Sequence, residues 1–141
     1  MKQLDLSSLE KAIKQLEESL RYYHSDLVQN DPGLILQLRA ATIQAFEFTY
    51  ELSWKMLKRY LELTEPNPQE IDSLSFADLI RTGNEKGLLM SDLREWKVYR
   101  NERSITSHTY DEGKAAMVFA QVPQFLKEAQ YLFQQLKKRS Q

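Results

Sequence analysis

The sequence predicts an all-α fold: an antiparallel, up-and-down four-helix bundle with one additional short helix. Apolar residues recur at three- and four-residue spacing over long stretches, the period of a helix with one buried face. No stretch of period-two alternation offers a strand. Only four glycines and four prolines punctuate 141 residues, and most lie between the periodic stretches. The length fits one domain, residues 1–141, large enough to bury a core.

Ser7-x-x-Glu10 reads as a capping box that opens the first helix. Leu9, Ile13, Leu16, Leu20 and Tyr23 follow as one narrow apolar seam, and His24 falls where a cation complements the helix dipole. Asp31 is the expected N-cap of the second helix, with Pro32 at its first position. That helix is expected to reach about Leu63, before Glu65-Pro66-Asn67-Pro68 stops it. A shorter helix from about Ser75 to Arg81 ends at Gly83. Gly87 turns the chain into a further helix opened by Asp92-x-x-Glu95. The last helix is expected from Tyr110, behind the capping box Thr109-x-x-Glu112, to about Lys138. Its seam is Phe119, Val122, Leu126, Ala129, Phe133 and Leu136, and Pro123 predicts a kink or break near residues 119–123.

The second helix carries two apolar stripes. Ile43, Phe46, Tyr50, Trp54, Leu57 and Leu61 form one; Ala41, Ala45, Phe48, Leu52, Met56 and Leu63 form another, roughly opposite. Between them lie Gln44, Glu47, Glu51, Lys55, Lys58 and Glu62 on one side and Thr42, Thr49 and Ser53 on the other. A helix apolar on two faces must bury both, which predicts a homodimer. The alternative is a central helix covered on both sides by its own chain.

Composition excludes several classes. Nineteen basic and twenty acidic residues give a net charge of −1, so nothing attracts nucleic acid or an anionic membrane globally. With no cysteine and two histidines, disulfides and a zinc site are not expected. There is no glycine-rich phosphate loop, and no cofactor is expected. Residues Met1 to Leu6 carry no signal-like apolar run, and no segment reaches the roughly 18 apolar residues of a membrane span. A cytoplasmic protein is the expectation. Glu47 and Glu51 read as solvated partners of Lys55 and Lys58, and Trp54 and Trp96 as packing residues.

Trp96 to Glu112 is the segment richest in chemistry. It holds Arg103, always cationic, and His108, the side chain suited to moving protons near neutral pH. In a continuous helix these two project about 140° apart, so cooperation needs the helix to end between them or a second subunit to contribute. β-Branched Ile105 and Thr106, with Ser104 and Ser107, favour such a break. An anion-attracting helix N-terminus beside His108 completes the parts of a phosphodiester-handling site. The plainer reading is a loop histidine, a dipole already satisfied by Asp111 and Glu112, and a solvated basic face of Arg94, Lys97, Arg100 and Arg103.

Arg103-x4-His108-x-Tyr110 resembles the Arg-x4-His-x-Tyr motif of the HEPN superfamily of helical bundles. Phe46-Glu47-Phe48-Thr49-Tyr50-Glu51-Leu52-Ser53-Trp54-Lys55, together with Ser107 to Glu112, resembles more narrowly the nucleotidyltransferase substrate-binding subfamily. The likeness runs from about Leu4 to Leu136. It implies a homodimer paired with a separately encoded minimal nucleotidyltransferase, commonly as toxin and antitoxin. The chain is then the toxin, a metal-independent endoribonuclease acting on RNA. Arg103 holds the scissile phosphate, His108 is general acid or base, and Tyr110 is the hydroxyl the partner adenylylates. Arg100 and Ser104 support the site; Ser104 stands where many members carry a polar residue, often asparagine. An older description of the subfamily, a non-catalytic substrate-binding subunit, remains open beside this, as does a structural adaptor.

Overall fold

A computed structural model describes residues 4–140. Met1, Lys2 and Gln3, which belong to the leader reading, lie outside the described residues, as does Gln141. Seven α-helices and one 3-10 turn make up the described chain: α1 Ser7–Tyr23, α2 Asp26–Gln29, α3 Pro32–Thr64, α4 Pro68–Asp72, α5 Phe76–Glu85, α6 Leu93–Ser104, the turn Thr106–His108, and α7 Glu112–Arg139. The four long helices of the expected bundle are α1, α3, α6 and α7. Cross-links fix their directions. Glu17 meets Gln130 and Tyr23 meets Phe119, so α1 runs against α7. Arg39 meets Glu112 and Phe46 meets Phe125, so α3 runs with α7. Trp96 lies by Tyr50 and Arg103 by Glu47, so α6 runs against α3.

Phe125 of α7 centres the core, with edge-to-face partners Phe46 and Tyr99 at 5.1 Å and Trp96 at 6.0 Å. Such pairs contribute roughly 0.5–1.5 kcal/mol each beyond the area they bury. The carboxylate of Glu128, wholly buried on α7, accepts the Met90 N–H at 2.8 Å and the Ser91 N–H at 3.0 Å, tying the loop before α6 to the core.

The first stripe of α3 is mostly buried, but the second is not its counterpart. Thr42, Thr49 and Ser53 are wholly buried instead, each donating its hydroxyl to the carbonyl four residues back at 2.7 Å. Small side chains satisfied in this way leave room for α1, whose Ala12 carbonyl lies 3.2 Å from Thr49 Oγ1. Of the second stripe only Ala45 is buried; Phe48 is 53% exposed and Leu63 41%.

Several sequence expectations need correction at their ends. Leu6, not Ser7, precedes α1 as its cap residue; Ser7 donates through its N–H and its hydroxyl to Asp5 Oδ1. These bonds hold the Asp5 carboxyl below its ordinary range. Helix α5 continues past Gly83 to Glu85; Gly83 is buried within it where an added Cβ would meet Leu57 and Leu89 at 3.0–3.1 Å, so this glycine serves close packing rather than a stop. The turn falls at Gly87, whose φ of +74° suits glycine. Two short helices, α2 and α4, are additions, capped by Ser25 and Asn67. Helix α7 runs through Pro123 without a break.

Candidate functional site

The sequence between α6 and α7 folds as a chain of tight turns. Helix α6 ends at Ser104 with Arg103 in its last turn, and the 3-10 turn holds Thr106, Ser107 and His108. The expected capping box at Thr109 does not form: its hydroxyl bonds the Thr106 carbonyl at 3.1 Å. Asp111 caps α7 instead, accepting the Lys114 N–H at 3.1 Å, so the helix begins at Glu112 rather than Tyr110. Glu112 faces Arg39 of α3 in a two-pronged pair at 2.6 and 2.9 Å. That pairing holds the Glu112 carboxyl below its ordinary range. It also pins the start of α7 to the central helix.

Arg103 turns inward to α3. Its Nη2 lies 3.4 Å from Glu47 Oε1 and its Nε 3.2 Å from Glu51 Oε1, the latter without a well-directed hydrogen bond. Its Nη1 donates to Thr106 Oγ1 at 3.4 Å. The Thr106 hydroxyl in turn lies 3.1 Å from Glu47 Oε2 and 2.8 Å from the Arg103 carbonyl. One carboxylate on α3 therefore touches both the motif arginine and the turn that ends at His108. The expected pairing of both glutamates with lysines holds only for Glu51 and Lys55, at 3.9 Å. Lys58 pairs with Asp72 at 3.0 Å, and Glu47 is committed to Arg103 and Thr106. At most three of the five guanidinium N–H groups of Arg103 face these partners, which leaves donors for an anion.

His108 is exposed, with Nδ1 3.5 Å from the hydroxyl of Tyr110 and the two rings edge-to-face at 6.0 Å. Tyr110 is 84% exposed, so its ring does not pack on the bundle. The structure thus joins His108 to Tyr110 and Arg103 to Thr106, and no hydrogen bond links Arg103 with His108 among the described residues. Ser104 is exposed and donates to the Asn101 carbonyl at 2.6 Å. Arg100 lays its guanidinium over the Phe76 ring at 4.6 Å. Glu102, unmarked by sequence reasoning, is buried with Oε2 unpartnered, and burial raises its carboxyl pKa. Its position three residues after Tyr99 and six after Trp96, both buried, is the signal that placed it on the inner face. Among the described residues no group of acidic or histidine side chains is arranged to hold a metal ion, and no helix is long and apolar enough to cross a membrane.

A helical bundle whose motif arginine and histidine sit at a broken helix end defines a class, and the chain belongs to it. Residues 4–138 match the family described as nucleotidyltransferase substrate binding protein like. Within that family the chain is similar to a probable ribonuclease HepT of Haemophilus influenzae, 39% identical over 140 residues, covering 98% of this chain and 95% of the relative. A solved Haemophilus influenzae structure, described as the fold of a substrate-binding domain of a nucleotidyltransferase, superposes with a TM-score of 0.89. It is 38% identical, with 94% of this chain and 99% of that one covered. A solved Thermus thermophilus protein is similar at a TM-score of 0.68 and 30% identity, covering 91% and 98% of the two chains.

Proposed function

We propose that the chain is a metal-independent endoribonuclease, the toxin of a toxin–antitoxin pair, acting in the cytoplasm as a homodimer. The observation that carries this is the Glu47 bridge. A single carboxylate holds Arg103 at the end of α6 and Thr106 in the turn that presents exposed His108. The similarity to a probable ribonuclease HepT over nearly the whole chain supports it.

In this reading Arg103 donates its free N–H groups to the non-bridging oxygens of the scissile phosphate as their charge grows. His108 takes the proton of the substrate's 2′-OH as that oxygen attacks phosphorus, or returns a proton to the departing 5′-oxygen. One imidazole cannot perform both steps in the same instant, so the second copy of the motif supplies the other role across the dimer. Exposed Phe48, beside half-buried Leu52 and Met56 on the same stripe of α3, supports that pairing. Attack by the 2′-OH breaks the P–O5′ bond and leaves a 2′,3′-cyclic phosphate and a 5′-OH. A separately encoded minimal nucleotidyltransferase neutralises the chain by adding AMP to Tyr110.

The test is cleavage of single-stranded RNA by the purified chain and by His108→Ala and Arg103→Ala variants. Each variant is expected to lose ~10²–10⁴ in rate with unchanged helicity. Chelator should leave the wild-type rate unaltered, and the products should carry cyclic phosphates. Cleavage at wild-type rate by the double variant overturns the assignment. No cleavage by any form, with the chain tightly bound to an active nucleotidyltransferase, installs the non-catalytic substrate-binding subunit instead.

A further inference from the structure

Beside Arg103, helices α3, α5 and α6 enclose a cleft of about 480 Å³, within the roughly 300–1,000 Å³ of small-ligand sites. Its walls combine two half-buried aromatic rings, Trp54 and Phe76, and the buried Tyr50 with three cations, Lys58, Arg100 and Arg103, and one carboxylate, Glu51. Two of those cations are already matched: Lys58 by Asp72, and Arg103 by Glu47 and Glu51. Arg100 has no carboxylate partner among the described residues. Its guanidinium instead lies over the Phe76 ring at 4.6 Å, which leaves its charge unneutralised on the cleft wall. Ser104 adds a hydroxyl at the end nearest Arg103.

Flat rings, a pre-stacked guanidinium and an adjacent hydroxyl suit an occupant with both an aromatic plane and an anionic group. The geometry points to a subsite for one nucleotide of single-stranded RNA, the unit next to the scissile phosphate. Its base enters against Trp54, and its phosphate meets Arg100, whose guanidinium covers the Phe76 ring. Duplex RNA is excluded from such a site, because a paired and stacked base cannot enter a cleft between helices. The subsite rests on the ribonuclease reading for its register to Arg103, but its own existence is separable. It also assigns Arg100 a contact that a solvated basic face lacks.

The experiment uses the full chain carrying His108→Ala and a short 2′-O-methyl oligouridylate, which lacks the attacking hydroxyl, with binding read by fluorescence anisotropy. Phe76→Leu, which removes the platform under the guanidinium, and Arg100→Gln, which removes the guanidinium, should each weaken binding about tenfold, the scale of one lost stacking partner. Arg100→Gln should also reduce the slope of log affinity against log salt by about one, whereas Phe76→Leu should leave that slope unchanged. Uridine should compete for the site at concentrations where inorganic phosphate does not. Circular dichroism melts check folding; if Phe76→Leu unfolds, Arg100→Gln, on an exposed position, still decides. Unchanged affinity in the folded variants, or competition by phosphate and not uridine, overturns the subsite. Normal KM for RNA cleavage in both variants overturns it too while leaving the ribonuclease reading intact. Variant-sensitive binding by a chain that cleaves nothing leaves the subsite and removes the ribonuclease.

Discussion

Replacing Glu47 tests whether one carboxylate sets the catalytic geometry. Glu47→Ala removes two contacts. The first is the 3.4 Å ion pair to Arg103, with the carboxylate side chain 36% exposed, a pairing of about 0.2–1 kcal/mol at such exposure. The second is the 3.1 Å hydrogen bond from Thr106, about 0.5–1.5 kcal/mol, partly recovered because the same hydroxyl can donate to the Arg103 carbonyl 2.8 Å away. The sum is about 1–2 kcal/mol, a fall in Tm of only a few degrees for a chain of this size. Catalysis should suffer far more. Arg103 keeps Glu51 but loses its link to the turn, and a displacement of about 1 Å costs on the order of 10² in rate. Glu47→Gln keeps an oxygen for Thr106 to donate to and should retain most of the turn geometry, falling between Ala and wild type. Thermal melts and kcat and KM for a fluorogenic single-stranded RNA report both effects. The loss should appear in kcat. A Glu47→Ala chain that melts lower yet turns over at the wild-type kcat would refute the positioning argument.

Incubation with the cognate nucleotidyltransferase and ATP should add AMP to the wild-type chain and not to Tyr110→Phe; an adduct that survives in Tyr110→Phe rejects that hydroxyl as the acceptor. Its 84% exposure supplies the access. Phe48→Asp, at a position 53% exposed, should leave the fold intact and shift light scattering from dimer to monomer, and an unchanged dimer mass moves the interface elsewhere. Burial raises the Glu128 carboxyl pKa, so the folded state binds its proton more tightly than the unfolded chain does. Its contribution to stability is therefore full below the ordinary carboxylate range and declines as pH climbs from there through the raised value. Glu128→Gln should flatten that decline in urea melts and cost about 1–3 kcal/mol, since an amide N–H then faces either the Met90 or the Ser91 N–H.

What could be read from the sequence was what local chemistry determines. Asp31 and Asp92 cap α3 and α6 as expected, because an N-cap needs only a short polar side chain and the next two or three amides. The Asn67-Pro68 signature of α4 has the same form as Asp31-Pro32 and was legible, but its prolines read more strongly as a stop. At the site, Arg103, His108 and Tyr110 stood out by residue type and spacing. Their surroundings did not. Glu112 completes a capping box on paper, yet Arg39, 73 residues away, captures it and leaves the cap to Asp111. Glu51 offered a plain i,i+4 partner in Lys55 and keeps it, Glu47 offered none, and nothing local marks that Arg103 reaches both carboxylates. Such contacts follow from helix packing, whose register single-helix periodicity does not encode.

The residues inside the Arg-x4-His spacing act as the scaffold of the break itself. Ending α6 strands its last carbonyls, and the segment supplies hydroxyls at the positions that reach them. Ser104 takes the Asn101 carbonyl, Thr106 the Arg103 carbonyl and Thr109 the Thr106 carbonyl, each from three residues ahead. Backbone bonds follow the same three-residue step, from Ile105 to Glu102, His108 to Ile105 and Asp111 to His108. A tighter, three-residue step rotates each successive side chain by about 120° rather than 100°, so His108 leaves the direction it would hold on a continued α-helix. The departure costs stable i+4 bonds, and burying Thr106 between Arg103 and Glu47 offsets that cost. The hydroxyl that can cap the Arg103 carbonyl is thus also the one within reach of Glu47 on α3, and it accepts from Arg103 itself, so helix termination and the placement of the motif arginine share one side chain.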